Sequence, residues 1–216
     1  MEFIRYTLIA DGSSDKALMN IIKWVLDDLF PKIPNKGIYG DFRMLQKPPR
    51  KDEVYKQIQY AEHYYPFDIL FYHRDGESNS STIIDERIAE IKGQLDAEFN
   101  QKIVCVIPIK MMEAWLLIDE MAIKKAAGNK NYNNQVNLPP VNKLEMLKEP
   151  KEILHDLLKQ VSGLKSRRLK NFNVHQAVHL ITEYTTDYRL LRQLNAFNKF
   201  EEDLKNVVNS LMKNNK

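Results

Sequence analysis

Four short runs of strand-forming residues, each followed by a stretch of helical period, constrain this 216-residue chain more than any other feature. The runs are Phe3–Ala10 (FIRYTLIA), Gly37–Leu45, Phe67–His73 (FDILFYH) and Lys102–Ile109 (KIVCVIPI). Helices are predicted over Lys16–Phe30, Asp52–Tyr64, Thr82–Phe99 and Met111–Ala127. In the first of these, Ala17, Leu18, Ile21, Ile22, Val25, Leu26 and Leu29 recur at helical spacing and Pro31 stops the run. Such alternation predicts an α/β fold, with about four parallel strands and flanking helices. Right-handed crossovers then place the C-terminal end of every strand on one edge of the sheet.

Past Gly128-Asn129, a usual helix stop, the sequence turns rich in Asn and Pro. The predicted organisation is an α/β domain over 1–128, a linker loop over 129–149 and a helical C-terminal extension over 150–216. Helices are expected there at about 150–162, 174–185 and 197–213. Leu190, Leu191, Leu194, Phe197, Phe200 and Leu204 read as packing onto the core or a partner.

The net charge of +3 does not announce a nucleic-acid binder, but its distribution is uneven. Residues 151–216 hold 12 Lys/Arg against 7 Asp/Glu, whereas residues 1–150 hold 20 against 22. An acidic front with a basic tail suits a metal site beside a polyanion-binding surface, and equally suits uneven surface charge without a partner. Lys165-Ser166-Arg167-Arg168-Leu169-Lys170 is the densest basic stretch and a candidate phosphate contact, with a solvated helix end as the plain alternative. The single cysteine, Cys105, sits in an apolar run as a buried hydrophobe. Without a disulfide framework, signal-peptide pattern or apolar run of ~18 residues, the expectation is a cytoplasmic protein with no membrane partner.

Chemistry concentrates at the predicted strand ends. Asp11 and Asp15 follow the first run, Asp75 and Glu77 the third, and Glu113 the fourth. Ligands of open parallel sheets bind at that edge. Carboxylates gathered there repel one another unless a cation neutralises them, and oxygen donors favour Mg²⁺ or Mn²⁺. Asp75 and Glu77, two residues apart, are expected on one side of an extended segment, with Gly76 leaving room for a ligand. Each acid alone more often caps a helix or decorates a turn; five at one edge are harder to explain so. Glu113 stands between a strand and an apolar helix, where a lone buried charge costs several kcal/mol. Lys110 is its expected partner, either in a simple salt bridge or as a stabiliser of phosphate charge. Trp115 reads as core. His175 and His179, four apart, share a helix face that could hold a metal, but the absence of an HExxH pattern and of a carboxylate between them argues against it.

The motif Asp11-Gly12-Ser13-Ser14-Asp15 after the first strand, with Asp75-Gly76-Glu77 after the third, resembles the TOPRIM domain of topoisomerases, primases and OLD-type nucleases over roughly residues 1–125. His73-Arg74-Asp75-Gly76-Glu77, Met112-Glu113-Ala114-Trp115-Leu116-Leu117 and Ala126-Ala127-Gly128-Asn129 further resemble an uncharacterised bacterial TOPRIM-like subfamily associated with phage defence. The resemblance implies a TOPRIM/Rossmann-like core and a metal-dependent endonuclease with one or two Mg²⁺ or Mn²⁺ ions. Asp11, Asp15, Asp75, Glu77 and Glu113 would hold them. Asp11, Asp75, Glu77, Glu113 and Lys110 would form the catalytic set, with Arg74 contacting nucleic acid; Lys165, Arg167, Arg168 and Lys170, beyond the resemblance, are nucleic-acid contacts expected from the basic stretch alone. Asp11 stands where the family has Glu and Glu77 where it has Asp, so charge is kept while reach changes by one methylene. A non-catalytic scaffold bound to an ATPase partner is the alternative, and a small-molecule phosphate-ester hydrolase a third; a homodimer through the helical tail is a further expectation.

Overall fold

The computed structural model describes residues 3–10, 12–80 and 82–214. The fold is the expected α/β one. Strands β1 (Ile4–Ile9), β2 (Asn35–Tyr39), β3 (Ile69–His73) and β4 (Ile103–Val106) form one parallel sheet in the order β2-β1-β3-β4. Every residue of β3 and β4 is buried, as continuous apolar runs covered on both faces should be. β2 is an edge strand, alternately exposed and half-buried, and it starts and ends earlier than its sequence suggests. Gly40 and Asp41 fall beyond it, so the predicted run Gly37–Leu45 is half strand and half turn. Gly37 is required inside β2: a Cβ there would lie 2.2 Å from the ring of Tyr6, which crosses over the strand.

The chain runs from β1 through a 3₁₀ turn (Ser13–Ala17) into α1 (Leu18–Leu29), then β2, α2 (Val54–Tyr64), β3, α3 (Ile83–Lys92), α4 (Ala97–Asn100) and β4. Successive β3 side chains face opposite layers. The Tyr72 hydroxyl donates to Gln57 Oε1 on α2 at 2.8 Å, while the Phe71 ring meets Phe200, 6.0 Å away, near the C-terminus. Two predicted helices are split by capping residues. The helix predicted over Thr82–Phe99 stops at Gly93, and Asp96 restarts it by accepting the Phe99 N–H. The helix predicted over Met111–Ala127 is a 3₁₀ turn, Met112–Leu116, then α5 (Glu120–Ala126), whose cap Asp119 accepts the Ala122 N–H. All five residues of that turn are buried, which no amphipathic helix could achieve.

Beyond lie α6 (Pro150–Ser162), α7 (Ser166–Lys170), α8 (Val174–Tyr184) and α9 (Asn195–Asn214). The short α7 was not foreseen; Gly163, at φ 65°, ends α6 in the left-handed conformation and redirects the chain. α8 packs on α5, α6 packs on the 112–116 turn, and α9 lies along β4. There the Cys105 N–H donates to Asp203 Oδ2 at 3.3 Å and Lys92 Nζ pairs with the same carboxylate, closing that sheet edge. One buried cluster runs from Ile4 to Val208, so the C-terminal helices share the core of the sheet. Leu191, Leu194, Phe197, Phe200 and Leu204 are in it; Leu190 is exposed. Among the described residues no helix is long and apolar enough to cross a membrane.

Candidate functional site

From β1 the chain moves outward to β2, then crosses back to β3 on the other side of β1. The strand order therefore reverses between β1 and β3, the position at which open parallel sheets bind their ligands. The predicted acids stand on both sides of it. Asp11 lies outside the described residues. Asp15 is buried in the 3₁₀ turn after β1, where its Oδ2 accepts the Gly12 N–H at 2.8 Å and its Oδ1 the Ser14 hydroxyl at 3.2 Å. Asp15 thus reaches back to the residue that opens the turn. Tyr39 pins this loop by donating to the Gly12 carbonyl.

On the β3 side the two turns that follow β3 and β4 are laced together by backbone. Gly76 N–H donates to Pro108 O, Glu77 N–H to Lys110 O, and Lys110 N–H to Ser78 O. A Cβ at Gly76 would approach the Pro108 carbonyl to 3.0 Å. The lacing holds two non-glycine residues in the left-handed region, Glu77 at φ 59° and Lys110 at φ 67°. Each costs about 1 kcal/mol, strain of a kind that concentrates at functional sites. Asp75 Oδ1 accepts the Met112 N–H at 2.9 Å, tying the β3 turn to the turn that carries Glu113.

The left-handed turn corrects the expected pairing of Asp75 with Glu77. Glu77 points outward, 70% exposed, with its carboxylate 3.4 Å from Arg87. The residue that shares a side with Asp75 is His73, one strand period earlier. His73 is 2% exposed, with Nε2 at 3.6 Å from Asp75 Oδ1 and 3.8 Å from Asp15 Oδ2. Its Nδ1 donates to the Val106 carbonyl at 2.9 Å, so Nε2 is the nitrogen directed at the acids. Sequence reasoning quoted His73 but passed over it; its position two residues before Asp75 at a strand end was the available signal.

Glu113 is buried at the same place, and its cation is not Lys110. Lys151, in the first turn of α6, brings Nζ to 3.9 Å from Glu113 Oε1. No local signal pointed to Lys151, since only the packing of α6 on the 112–116 turn brings it near. The electrostatics mark these groups as one cluster. Burial pushes the Asp75 carboxyl up to about 6, with Asp15 and Glu113 adding to the rise and His73 and the Met112 N–H opposing it. Glu113 is raised too, by burial first and by Asp15, against its own backbone N–H, Lys151 and His73.

Asp15, Asp75 and Glu113 are hard oxygen donors that raise one another's cost of ionisation, the chemistry a divalent cation relieves. Among the described residues no group of three or more His, Cys, Asp or Glu side chains is closed tightly enough to hold an ion as it stands. Beside the cluster, between the ends of β1 and β2, lies a cavity of about 190 Å³ lined by Gly12, Tyr39, Phe42, Arg43 and Pro48. Arg43 is held there by Asp41, whose carboxyl it lowers to about 2.

Of the predicted basic contacts, Arg74 is engaged with Glu90 at 2.8 Å. Lys165, Arg167, Arg168 and Lys170 are exposed on and beside α7. α6 adds Lys151, His155 and Lys159 at successive turns of one face, and the His155 ring meets His175 of α8 edge-on at 5.5 Å. Burial, then His175, Lys151 and Lys159, hold the His155 imidazole below its ordinary pKa. Cys105 and Trp115 are core residues, as their sequence context predicted. Comparison of the chain with protein-family models, with curated proteins and with solved structures gave no significant match.

Proposed function

We propose that this chain is a divalent-cation-dependent phosphodiesterase of TOPRIM type that cleaves nucleic acid. One observation carries the reading. Asp15, His73, Asp75 and Glu113, drawn from three sequence-distant segments, meet at the strand-order reversal, and burial together with neighbouring carboxylates lifts Asp75 to about 6. Asp15, Asp75 and Glu113 would hold the ion, with Asp11 four residues before Asp15 in sequence. When bound, the ion would neutralise the cluster and acidify a coordinated water for attack on phosphorus.

The chain's own residues supply the rest. The Gly12 and Ser14 bonds orient Asp15, and the Met112 N–H orients Asp75. The Lys151 ammonium stands beside Glu113, placed to offset phosphate charge. Lys151 of α6 and the exposed cations on and beside α7 offer contacts to phosphates, and the cavity lined by Tyr39 and Phe42 offers aromatic rings to a base. A role in phage defence rests on the sequence resemblance alone.

The test is cleavage of end-labelled single- and double-stranded DNA and RNA with Mg²⁺ or Mn²⁺, comparing the native chain with Asp75→Ala and Glu113→Gln. Metal-dependent cleavage that falls at least a hundredfold in Asp75→Ala is expected. No cleavage of any of the four substrates with either ion would overturn the reading in favour of a non-catalytic scaffold.

A further inference from the structure

We infer that His73 is a metal ligand, so that the site is a mixed imidazole–carboxylate one that prefers Mn²⁺ to Mg²⁺. The inference rests on the proposed cation site and names its selectivity. An acidic cluster alone would not carry it; the buried imidazole does. His73 ends β3 at the strand-order reversal, almost wholly excluded from water. Its Nδ1 N–H is committed to the Val106 carbonyl, which fixes the ring and leaves Nε2 facing Asp15 and Asp75. A ring nitrogen anchored on a backbone carbonyl while the other faces acids is the usual arrangement of a metal-binding histidine.

The spacing agrees. Nε2 lies 3.6 and 3.8 Å from the two carboxylate oxygens, too far for a hydrogen bond to either. Donors about 3–4 Å apart are what two ligands of a single ion become when each bond is ~2.1 Å long. His73 and Asp75, two residues apart at a strand end, point the same way, whereas Glu77 has been turned out toward Arg87. The ligand pair contributed by β3 is therefore His73 with Asp75. Mg²⁺ demands oxygen donors in a near-ideal octahedral shell, whereas Mn²⁺ takes the same carboxylates and tolerates an imidazole nitrogen better, so a mixed set favours Mn²⁺ of these two ions.

The experiment uses the full chain with metal alone and no nucleic acid. Calorimetry compares Mn²⁺ and Mg²⁺ binding by the native chain, His73→Gln and His73→Asp, and pulsed electron paramagnetic resonance looks for nitrogen coupled to bound Mn²⁺. We expect a nitrogen signal in the native chain that persists in His175→Gln and His179→Gln and vanishes in His73→Gln. Mn²⁺ affinity should fall about tenfold or more in His73→Gln. His73→Asp, an all-oxygen set, should keep a bound ion and lose the preference for Mn²⁺. Circular dichroism checks that each variant is folded, and His73→Asp keeps the test decisive should His73→Gln unfold. Mn²⁺ affinity unchanged in His73→Gln, a nitrogen signal that depends on His175 or His179, or no Mn²⁺ binding at all would overturn the inference. Bound Mn²⁺ without nitrogen coupling sinks the His73 role and leaves the nuclease reading standing. Nitrogen-coupled Mn²⁺ without cleavage does the reverse.

Discussion

The turn Met112–Leu116 belongs to two regions built in opposite ways. Glu113 joins the acidic cluster, among carboxylates that resist ionisation and beside a loop with left-handed Glu77 and Lys110. Trp115, two residues on, faces the C-terminal helix, its ring against Phe197 at 5.2 Å and Phe200 at 6.3 Å. The aromatic side contributes packing and apolar burial; the acidic side gives stability up in strain and in crowded charge. Anchoring the second on the first holds an unfavourable cluster in one geometry.

Breaking the packed side should have the largest effect. Phe200→Ala removes a ring that contacts Phe71, Trp115 and Phe197, and should lower unfolding free energy by about 3–5 kcal/mol, read as a shift of the urea midpoint. If stability barely changes, the C-terminal helix does not anchor the sheet. Next comes the ion cluster that fastens the same helix to α1. Arg192 bonds Glu201 of α9 and Asp28 of α1 while its guanidinium lies 5.2 Å from the Trp24 ring. Arg192→Met leaves the buried Glu201 without that partner and should cost about 2–3 kcal/mol, with Arg192→Met/Glu201→Leu recovering most of it in a double-mutant cycle.

The acidic side should respond in the other direction. Asp75→Asn should abolish the proposed cleavage yet stabilise the metal-free protein at pH 8 by about 1–3 kcal/mol, since an ionised carboxylate is no longer held in the cluster. Its pH dependence follows from the same group. The folded chain keeps the Asp75 proton up to about pH 6, whereas the unfolded chain releases it near 3.8. This group's contribution is thus full below about pH 4, is lost as pH rises to about 6, and changes little above that. Comparing native and Asp75→Asn unfolding at pH 4, 5, 6 and 8 isolates it; a difference that does not widen with pH would mean that Asp75 is solvated. The smallest effect is expected away from both regions: Lys23→Ala, which removes an exposed i,i+4 pair with Asp27, should change stability by a few tenths of a kcal/mol.

Much of the edge was legible in the linear sequence. Asp15, Asp75 and Glu113 could be placed at strand ends because a parallel sheet puts all such ends together, whatever the details of packing. Boundaries were less legible where caps decide them: Asp96 and Asp119 restart helices that apolar periodicity alone would have continued. Lys110 and Glu77 were misplaced for a shared reason. Their side-chain directions follow from backbone bonds between the two turns, and those bonds join residues distant in sequence.

Local propensity and hydrophobic period by themselves determined the four strands, the helical tail and the gathering of acids on one edge, because these depend on residue spacing along a strand or helix. Tertiary structure alone decided which groups face one another there. It turned Glu77 outward through a left-handed backbone, set the His73 nitrogen toward Asp15 and Asp75, and brought Lys151 to Glu113 by packing α6 on the 112–116 turn. Each of those placements depends on contacts between segments that no spacing along the chain encodes.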